Sequence, residues 1–224
     1  MVRQLRHEGE QVGLRRVARL MRGARLHGRS ARRYHRSMAG QRAFFASVPN
    51  QQRVQGIQGS NQVWVGDVTY VKVGSRWRYL AVVMDRYSRR ILGWSLSTRR
   101  DAALTGDALR HSARKRRPAP GLLFHSDRGI EYAAFEYRNQ LARLGITQSM
   151  NRPGRMNDNA HMESFFHSMK AEDLHGRRFD HDAQLRQALC SYIAFYNHQR
   201  LHSALSYLPP VIFERQHGLQ SCVN

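Results

Sequence analysis

The stretch VWVGDVTYVKVGSRWRYLAVVMD, residues 63–85, decides the fold. Its two halves are rich in β-branched and aromatic residues, and Gly-Ser-Arg separates them, which is typical of a β-hairpin. The sequence RILGWSLS at residues 90–97 has the same character and predicts a third strand. The three strands together predict a meander.

Helical and strand patterns alternate after the meander. A helix, a strand, a second helix and a further strand are predicted at residues 101–117, 121–127, 131–145 and 146–150. Asp101 is placed to cap the first of these helices, and Gly145 to end the second. Two more helical patterns follow, at residues 158–174 and over most of 182–200. This order predicts an α/β fold with a mixed sheet.

Composition narrows the class of protein. The chain has 224 residues, and 41% hydrophobic content is enough for a substantial core. Lys and Arg number 37 against 16 Asp and Glu, a net charge of +21 that indicates a polyanionic partner, namely nucleic acid. The start of the chain has no apolar segment typical of a signal peptide, and the longest strongly apolar run, YLAVVM, is too short to span a bilayer. Two cysteines are too few for a disulfide framework, so we expect a reduced, intracellular protein.

Residues 1–60 contain 13 arginines, no lysine and two acids. Within them GLRRVARLMRGARL, residues 13–26, places apolar side chains on one helical face, at Val17, Leu20, Met21 and Ala24. The other face is basic and carries Arg15, Arg16, Arg19 and Arg22. A solvated cationic helix and a small DNA-contacting unit are both open interpretations. The polar segment 45–62 has the composition of a linker.

Three carboxylates stand out by position. Asp67 lies in the first predicted strand, Asp127 at the tip of the fourth, and Glu163 in the helix that begins near Asn159. If the first strand neighbours the fourth, the two aspartates lie side by side, and a helix crossing that edge can bring Glu163 to them. Three such acids repel one another unless a cation joins them, and all-oxygen ligands favour Mg²⁺ or Mn²⁺. Because the chain has 16 acids, spacing alone does not distinguish a catalytic trio from one that arises by chance.

The residues around these acids carry a family resemblance. WVGDVTYV, HSDRG and NDNAHMESFFHSMK occur in order, and 35 residues lie between Asp127 and Glu163. This resembles the DD(35)E signature of retroviral-type integrases. More closely, it resembles the second-frame (OrfB) transposases of the insertion sequence three (IS3) family, whose tail YNHQRLHSALSYLPP matches at residues 196–210. The resemblance covers nearly the whole chain, most strongly residues 62–210.

The resemblance implies an RNase H-like core, a five-stranded mixed sheet flanked by helices. It implies that Asp67, Asp127 and Glu163 form a catalytic triad that binds two Mg²⁺ ions, with Mn²⁺ as a substitute. The implied reaction nicks an element end and transfers the exposed 3′-hydroxyl to another phosphodiester. It further implies a homo-oligomer on DNA, a first-frame (OrfA) partner, and a bacterial cytoplasmic protein associated with the nucleoid. We predict four regions, a basic arm, a linker, the catalytic core and a C-terminal helical segment, at residues 1–55, 56–61, 62–175 and 176–224.

Further site residues are predicted around the triad. Lys170 matches the family's basic residue that contacts DNA ends, and seven residues, about two helical turns, place it on the face of Glu163. Arg128 and Gly129 turn the chain away from Asp127, and we expect Arg128 to contact phosphate. Where the family often has Ser-Gln after HSDRG, this chain has Ile130-Glu131. Glu131 either caps the following helix, which we expect, or adds an acid to the site.

Other interpretations stay open. The family's helix-turn-helix normally begins further upstream, so Met1 is expected to fall inside it, and specific DNA recognition then depends on the first-frame protein. The alternatives are a non-catalytic or decayed DNA-binding remnant, against which the intact triad argues, and an RNase H-like nuclease, against which the C-terminal motif argues.

Histidines and aromatics give weaker signals. His198 and His202 have the i, i+4 spacing of zinc ligands, but His202 is better explained as structural. His125 and His161 flank the predicted acids without a clear role. We expect the aromatic side chains of the last two helices to pack rather than to bind bases: Phe165, Phe166, Tyr192, Phe195 and Tyr196.

Overall fold

The computed structural model describes residues 2–24, 26, 48–51, 56–152 and 156–218, and the chain divides into two compact units, residues 1–33 and 34–224. The first unit contains helices α1 (Val2–His7) and α2 (Leu14–Gly23). Along α2, Val17 is buried while the four predicted arginines are exposed. The predicted cationic helix is therefore present, and its basic face is open to solvent.

The second unit is built on a five-stranded sheet in the order β3-β2-β1-β4-β5. The strands are β1 (Val63–Val73), β2 (Arg76–Asp85), β3 (Ile91–Ser97), β4 (Leu123–Ser126) and β5 (Thr147–Met150). The first three pair antiparallel, whereas β4 pairs parallel to both β1 and β5. The predicted meander and mixed sheet are confirmed, including the adjacency of the first and fourth strands.

The side chains of β1 alternate between the two faces of the sheet and contribute to a hydrophobic layer on each face. Val63 and Val65 pack with residues of α6 (Ala160–Met169) and α7 (Asp182–His198) on one face. Trp64 packs on the other face with α3 (Ala102–Arg116) and α5 (Phe135–Arg143). The sheet is thus covered on both sides, as an α/β layer requires. Asp101 caps α3 as predicted, because its side chain accepts from the backbone N–H of Leu104.

The helix predicted over residues 131–145 is broken. The structure has α4 (Ile130–Ala133) and α5 separated by Ala134, whose ψ of 143° is extended. Side chains five residues apart in one continuous helix point in different directions, but Tyr132 and Tyr137 both contact the ring of Phe124, with centroids 6.2 and 5.8 Å away. The break at Ala134 lets both tyrosines reach the same buried site.

The helix predicted over residues 158–174 also changes type along its length. A 3₁₀ turn (Met156–Asn159) leads into α6, which continues as a π-helical turn (Lys170–Leu174). The ring of Phe165 lies 4.8 Å from that of Tyr196 on α7, so the expected aromatic packing is confirmed there. The chain closes with a 3₁₀ turn (Ser203–Leu205) and α8 (Pro210–Gly218). None of the helices in the described ranges has the length and apolarity needed to cross a membrane.

Candidate active site

Asp67 and Asp127 come together at the edge where β4 ends. Gly66 and Ser126 form the last residue pair between the parallel strands β1 and β4. Asp67 and Asp127, which directly follow these two residues, therefore lie side by side. Gly66 permits this approach, because a Cβ atom there would lie 2.4 Å from Cζ of the buried Phe124 ring. The predicted pairing of the two aspartates is present.

The surroundings of Asp67 and Asp127 disfavour the ionised form of both carboxyl groups. Burial raises the pKa of Asp67 well above its ordinary value, and the charge of Asp127 raises it further. Burial followed by the charge of Glu131 raises the pKa of Asp127. Each carboxylate accepts a backbone N–H in partial compensation, Asp67 from Val68 at 2.7 Å and Asp127 from Gly129 at 3.0 Å. Negative charge therefore predominates at the pair.

Arg100 is the cation of this site, and Glu131 holds it there. The Nε and Nη2 atoms of Arg100 lie 2.8 and 2.7 Å from Oε1 of Glu131, and Nη2 lies 3.9 Å from Oδ2 of Asp127. The prediction that Glu131 caps α4 is wrong, since its side chain makes no capping bond and is buried against Arg100 instead. Glu131 is therefore a third acid beside the aspartates.

Glu163 stands in the first turn of α6 and is half-buried. The start of that helix is tied to β1, because Nδ2 of the buried Asn159 donates to the carbonyl oxygen of Gly66 at 3.1 Å. Within the described ranges, no three Asp, Glu, His or Cys side chains lie close enough to hold one metal ion. The structure thus brings the two aspartates together, while Glu163 does not form such a group with them.

Lys170 begins the π-helical turn and lies near the same edge of the sheet. Its Nζ atom lies 4.9 Å from the centroid of the Tyr70 ring. Burial lowers the pKa of Lys170, and the charge of Asp67 acts in the opposite direction. Lys170 therefore lies within electrostatic range of Asp67.

Arg128 is engaged within the protein. Its Nε atom donates to the carbonyl oxygen of Asn151 at 2.5 Å, and Nη2 donates to that of Val48 at 3.5 Å. Residues 48–51, which fall inside the predicted arm of residues 1–55, are also bonded to β5, where the backbone N–H of Gln51 donates to Oγ of Ser149 at 3.0 Å. These contacts give Arg128 a role in shaping the loop after β4.

The histidines of this region have lowered pKa values. Nδ1 of His125 pairs with Oγ of Ser149 at 2.9 Å and Nε2 with Oδ1 of Asn151 at 2.7 Å, and burial lowers its pKa to about 4. Burial, then the neighbouring Arg89, lowers the pKa of His161 to about 4. The ring of His202 lies 4.5 Å from that of Tyr196, which supports a structural role for His202.

Two residues of this site gave no signal in the sequence. Arg100 is one of many arginines, and only the fold shows that the chain after β3 returns to the end of β4. Asn159 begins a predicted helix and could be read as an ordinary helix-capping residue. A pattern search for acids at fixed spacing finds neither, because both act through neighbours that are distant in sequence.

Known proteins resemble this chain in sequence and in fold. Two family models described as integrase core domain match residues 58–156 and 144–210. The transposase for insertion sequence element IS904 of Lactococcus lactis is 35% identical over 213 residues, which cover 94% of this chain and 84% of that protein. Transposase InsF for insertion sequence IS3fB of Escherichia coli is 37% identical over 216 residues, 95% of this chain and 74% of that protein.

Among solved structures, the HTLV-2 integrase catalytic core domain in complex with magnesium superimposes with a TM-score of 0.56 at 17% identity. The match covers 71% of this chain and 99% of that domain, and it shows a common RNase H-like fold. On that fold Asp67 lies in the middle of β1 and Asp127 directly after the end of the neighbouring parallel strand β4. Together with the sequence identity, this shows that the chain belongs to the IS3 family of insertion-sequence transposases and carries an integrase core domain.

Proposed function

We propose that this transposase cleaves DNA strands at insertion-sequence ends with Mg²⁺ and joins the exposed 3′-hydroxyl to a new phosphodiester. The observation that carries the proposal is the pair of carboxylates, Asp67 and Asp127, held together with a deficit of positive charge. Neighbouring carboxylates whose pKa values are raised by burial and by each other are typical of sites that bind a cation.

The donor set fits Mg²⁺. This ion prefers carboxylate oxygens and is commonly bound by one or two carboxylates together with substrate phosphates. Asp67 and Asp127 supply the two carboxylates, so the site suits an ion that arrives with DNA, and Mn²⁺ has the same preference for oxygen ligands. Two bound ions would activate the attacking oxygen and stabilise the leaving oxygen of a phosphodiester.

Glu163 is proposed as the third carboxylate of the loaded site. It lies on α6, whose start is fixed to the residue before Asp67 by the bond from Asn159 to Gly66. Lys170, two helical turns further on, would hold a phosphate of the DNA end, as its position beside Tyr70 and Asp67 supports. The predicted phosphate contact of Arg128 is less well supported, since its guanidinium already binds two carbonyl oxygens.

The exposed arginines of α2 are proposed to contact duplex phosphates, which matches the net charge of +21. We further propose that the protein acts as a homo-oligomer on DNA and that a first-frame protein contributes recognition of the ends. A non-catalytic DNA-binding remnant remains the rival function, because Glu163 does not form one metal-binding group with the aspartates.

A strand-transfer assay with labelled oligonucleotide ends tests the proposal. Asp67→Asn, Asp127→Asn and Glu163→Gln preserve shape but remove charge, so each should abolish Mg²⁺-dependent cleavage and joining while DNA binding survives. The three losses should not multiply, because the residues act as one unit. Glu136→Gln, which removes an exposed carboxylate from α5, is the matched control and should keep full activity.

The outcomes separate the candidate functions. Cleavage without joining would indicate a nuclease, and binding without cleavage by the parent protein would indicate a remnant. If any one of the three variants cleaves at the parent rate with Mg²⁺, that residue is not a ligand.

A further inference from the structure

Two exposed aromatic side chains lie together on the β1–β2 hairpin, beyond the aspartates. Tyr70 is 47% exposed and Trp77 is 49% exposed. Their rings meet edge to face, with centroids 5.0 Å apart and planes at 86°. Among the ring pairs of the described residues, this is the one in which both partners are exposed. Large aromatic surface left open on a sheet indicates a ligand, because it would otherwise be buried.

Positive charge surrounds this aromatic pair. Nζ of Lys170 lies 4.9 Å from the centroid of Tyr70, and Lys72 pairs with Trp77 in the register of β1 and β2. The chain has three lysines in all, so two of them lie at this pair. No acidic residue occurs between Val68 and Met84 in the sequence. The patch therefore suits an anionic ligand that carries flat rings.

Such a combination matches single-stranded nucleic acid. Proteins bind unpaired bases by stacking them on aromatic side chains while basic residues hold the backbone. Bases within a duplex are already stacked on one another, so an aromatic platform can receive only a base that is unpaired. The hairpin surface is thus suited to a frayed or displaced strand and unsuited to intact duplex.

The position of the pair relates it to the aspartates. Tyr70 lies three residues after Asp67 on β1, about 10 Å along the strand, and alternation points the two side chains to opposite faces of the sheet. The pairing of β1 with β4 ends at Gly66, and Lys170 both contacts the Tyr70 ring and lies within electrostatic range of Asp67, so the two side chains meet at this free edge of β1. A nucleotide rises 3.4 Å in duplex DNA, so about three nucleotides span that distance. A strand whose scissile phosphate lies at the aspartates can therefore reach the aromatic pair within a few nucleotides.

We propose that an unpaired base of the DNA end, about three nucleotides from the scissile phosphate, stacks on one ring of the Tyr70–Trp77 pair while the perpendicular second ring supports the first. Lys72 and Lys170 hold the adjoining phosphates. The proposal rests on the proposed function, because it takes the aspartates to mark the cleavage point. It adds a base-stacking site that stabilises an opened end during cleavage.

Fluorescence of DNA containing 2-aminopurine tests stacking directly. The probe is placed at the third nucleotide from the cleavage point in an unpaired end, and stacking on an aromatic ring quenches it. The parent protein should quench the probe. Tyr70→Ala and Trp77→Ala should each relieve the quenching and weaken binding of a 12-nucleotide single strand at least tenfold. Affinity for duplex of the same length should change less than twofold.

Matched variants separate stacking from other effects. Phe135→Ala removes another exposed aromatic ring, on α5, and should leave quenching and affinity unchanged. Tyr70→Phe and Trp77→Phe keep a ring and should restore both, which excludes misfolding as the cause of a loss. Equal loss of single-strand and duplex binding would make the patch a general phosphate contact and overturn the stacking site.

The readout is independent of catalysis. Quenching needs neither metal nor cleavage, so it can also be measured in the Asp67→Asn background. Normal quenching by a parent protein that never cleaves DNA would refute the proposed function and leave the stacking site standing. Active cleavage with quenching that Tyr70→Ala and Trp77→Ala do not alter would refute the stacking site alone.

Discussion

Two groups of charges occupy different parts of the core domain, and they are built differently. The first, the aspartate site, consists of Asp67, Asp127, Glu131 and Arg100. The second, the Glu214 cluster, consists of Asp85, Arg90, Arg116 and Glu214. The aspartate site has three carboxylates for one arginine, whereas the Glu214 cluster has two of each.

Glu214 accepts hydrogen bonds at both of its carboxylate oxygens. The donors are Nη1 of Arg90 at 2.6 Å, Oγ of Ser88 at 2.7 Å and Nη2 of Arg116. Burial acts to raise the pKa of Glu214, but Arg116 together with the bonds from Arg90 and Ser88 lowers it below its ordinary value. These bonds link α8 to α3 and to the residue that precedes β3.

The aspartate site has fewer hydrogen bonds by comparison. Burial raises the pKa values of Asp67 and Asp127, as it raises that of Asp85 in the Glu214 cluster. Asp85, however, accepts three backbone N–H groups, whereas Asp67 and Asp127 accept one each. Under the proposed function, the Glu214 cluster balances its charges within the protein, whereas the aspartate site leaves an imbalance that a ligand neutralises. Four predictions can break or sharpen this comparison.

The largest expected effect belongs to the Glu214 cluster. Glu214→Gln removes the carboxylate that pairs directly with Arg90 and Arg116, and breaking a buried ion pair costs about 3–5 kcal/mol. Urea unfolding monitored by circular dichroism should show this loss in the free energy of unfolding. The control Glu136→Gln, at an exposed position, should change it by less than about 0.5 kcal/mol. A loss below about 1 kcal/mol would mean that the cluster is not a structural fastening.

The aspartate site should behave in the opposite way. Because the folded pKa values of Asp67 and Asp127 are raised, the folded protein binds more protons than the unfolded chain, and stability falls as pH rises through those values. The double variant Asp67→Asn, Asp127→Asn should therefore melt at a higher temperature than the parent at pH 7. The difference in melting temperature between the two proteins should disappear towards pH 3, below the ordinary carboxyl pKa of about 3.9.

With Mg²⁺ present, the parent should become more stable than the double variant. An ion that binds only the folded parent at 100 times its Kd adds about 2.7 kcal/mol of stability, and the double variant should gain none of it. Glu214 should show the opposite dependence on pH, because its pKa is lowered in the folded protein. It stabilises the fold above the ordinary pKa of a glutamate, and this stability is lost as pH falls through the pKa of the folded state. A double variant that is less stable than the metal-free parent at pH 7 would contradict the proposed imbalance.

The smallest expected effect compares two lysines. Lys170 lies near the aspartate site, and Lys115 lies near the Glu214 cluster, whose Arg90, Arg116 and Glu214 influence its pKa. Lys170→Ala should slow nicking at DNA ends at least tenfold, which corresponds to about 1.4 kcal/mol, and Lys170→Arg should recover part of the loss. Lys115→Ala should nick at the parent rate. Equal nicking rates for the two alanine variants would mean that Lys170 has only a structural role, in its contact with the Tyr70 ring.

The sheet was predictable from sequence because its strands have local signals. The β-branched runs from Val63 to Asp85 identify the hairpin, and the parallel pairing of β1 with β4 then places Asp67 beside Asp127. The break at Ala134 and the pairing of Arg100 with Glu131 were not predictable, since both depend on contacts between distant segments. Local pattern thus gave the carboxylates but not the charges around them.

The tight contact of Gly66 with Phe124 has a consequence for the evolutionary history of such elements. A side chain at Gly66 meets a buried ring and damages the fold itself, whereas under the proposed function a change at Asp67 next to it damages only the chemistry. The two neighbouring codons would then be under separate selection. A copy retained only as a folded DNA-binding protein would keep the glycine while the aspartate drifts. A copy released from all selection would lose both at similar rates, so the two positions together record what a lineage still needed from the protein.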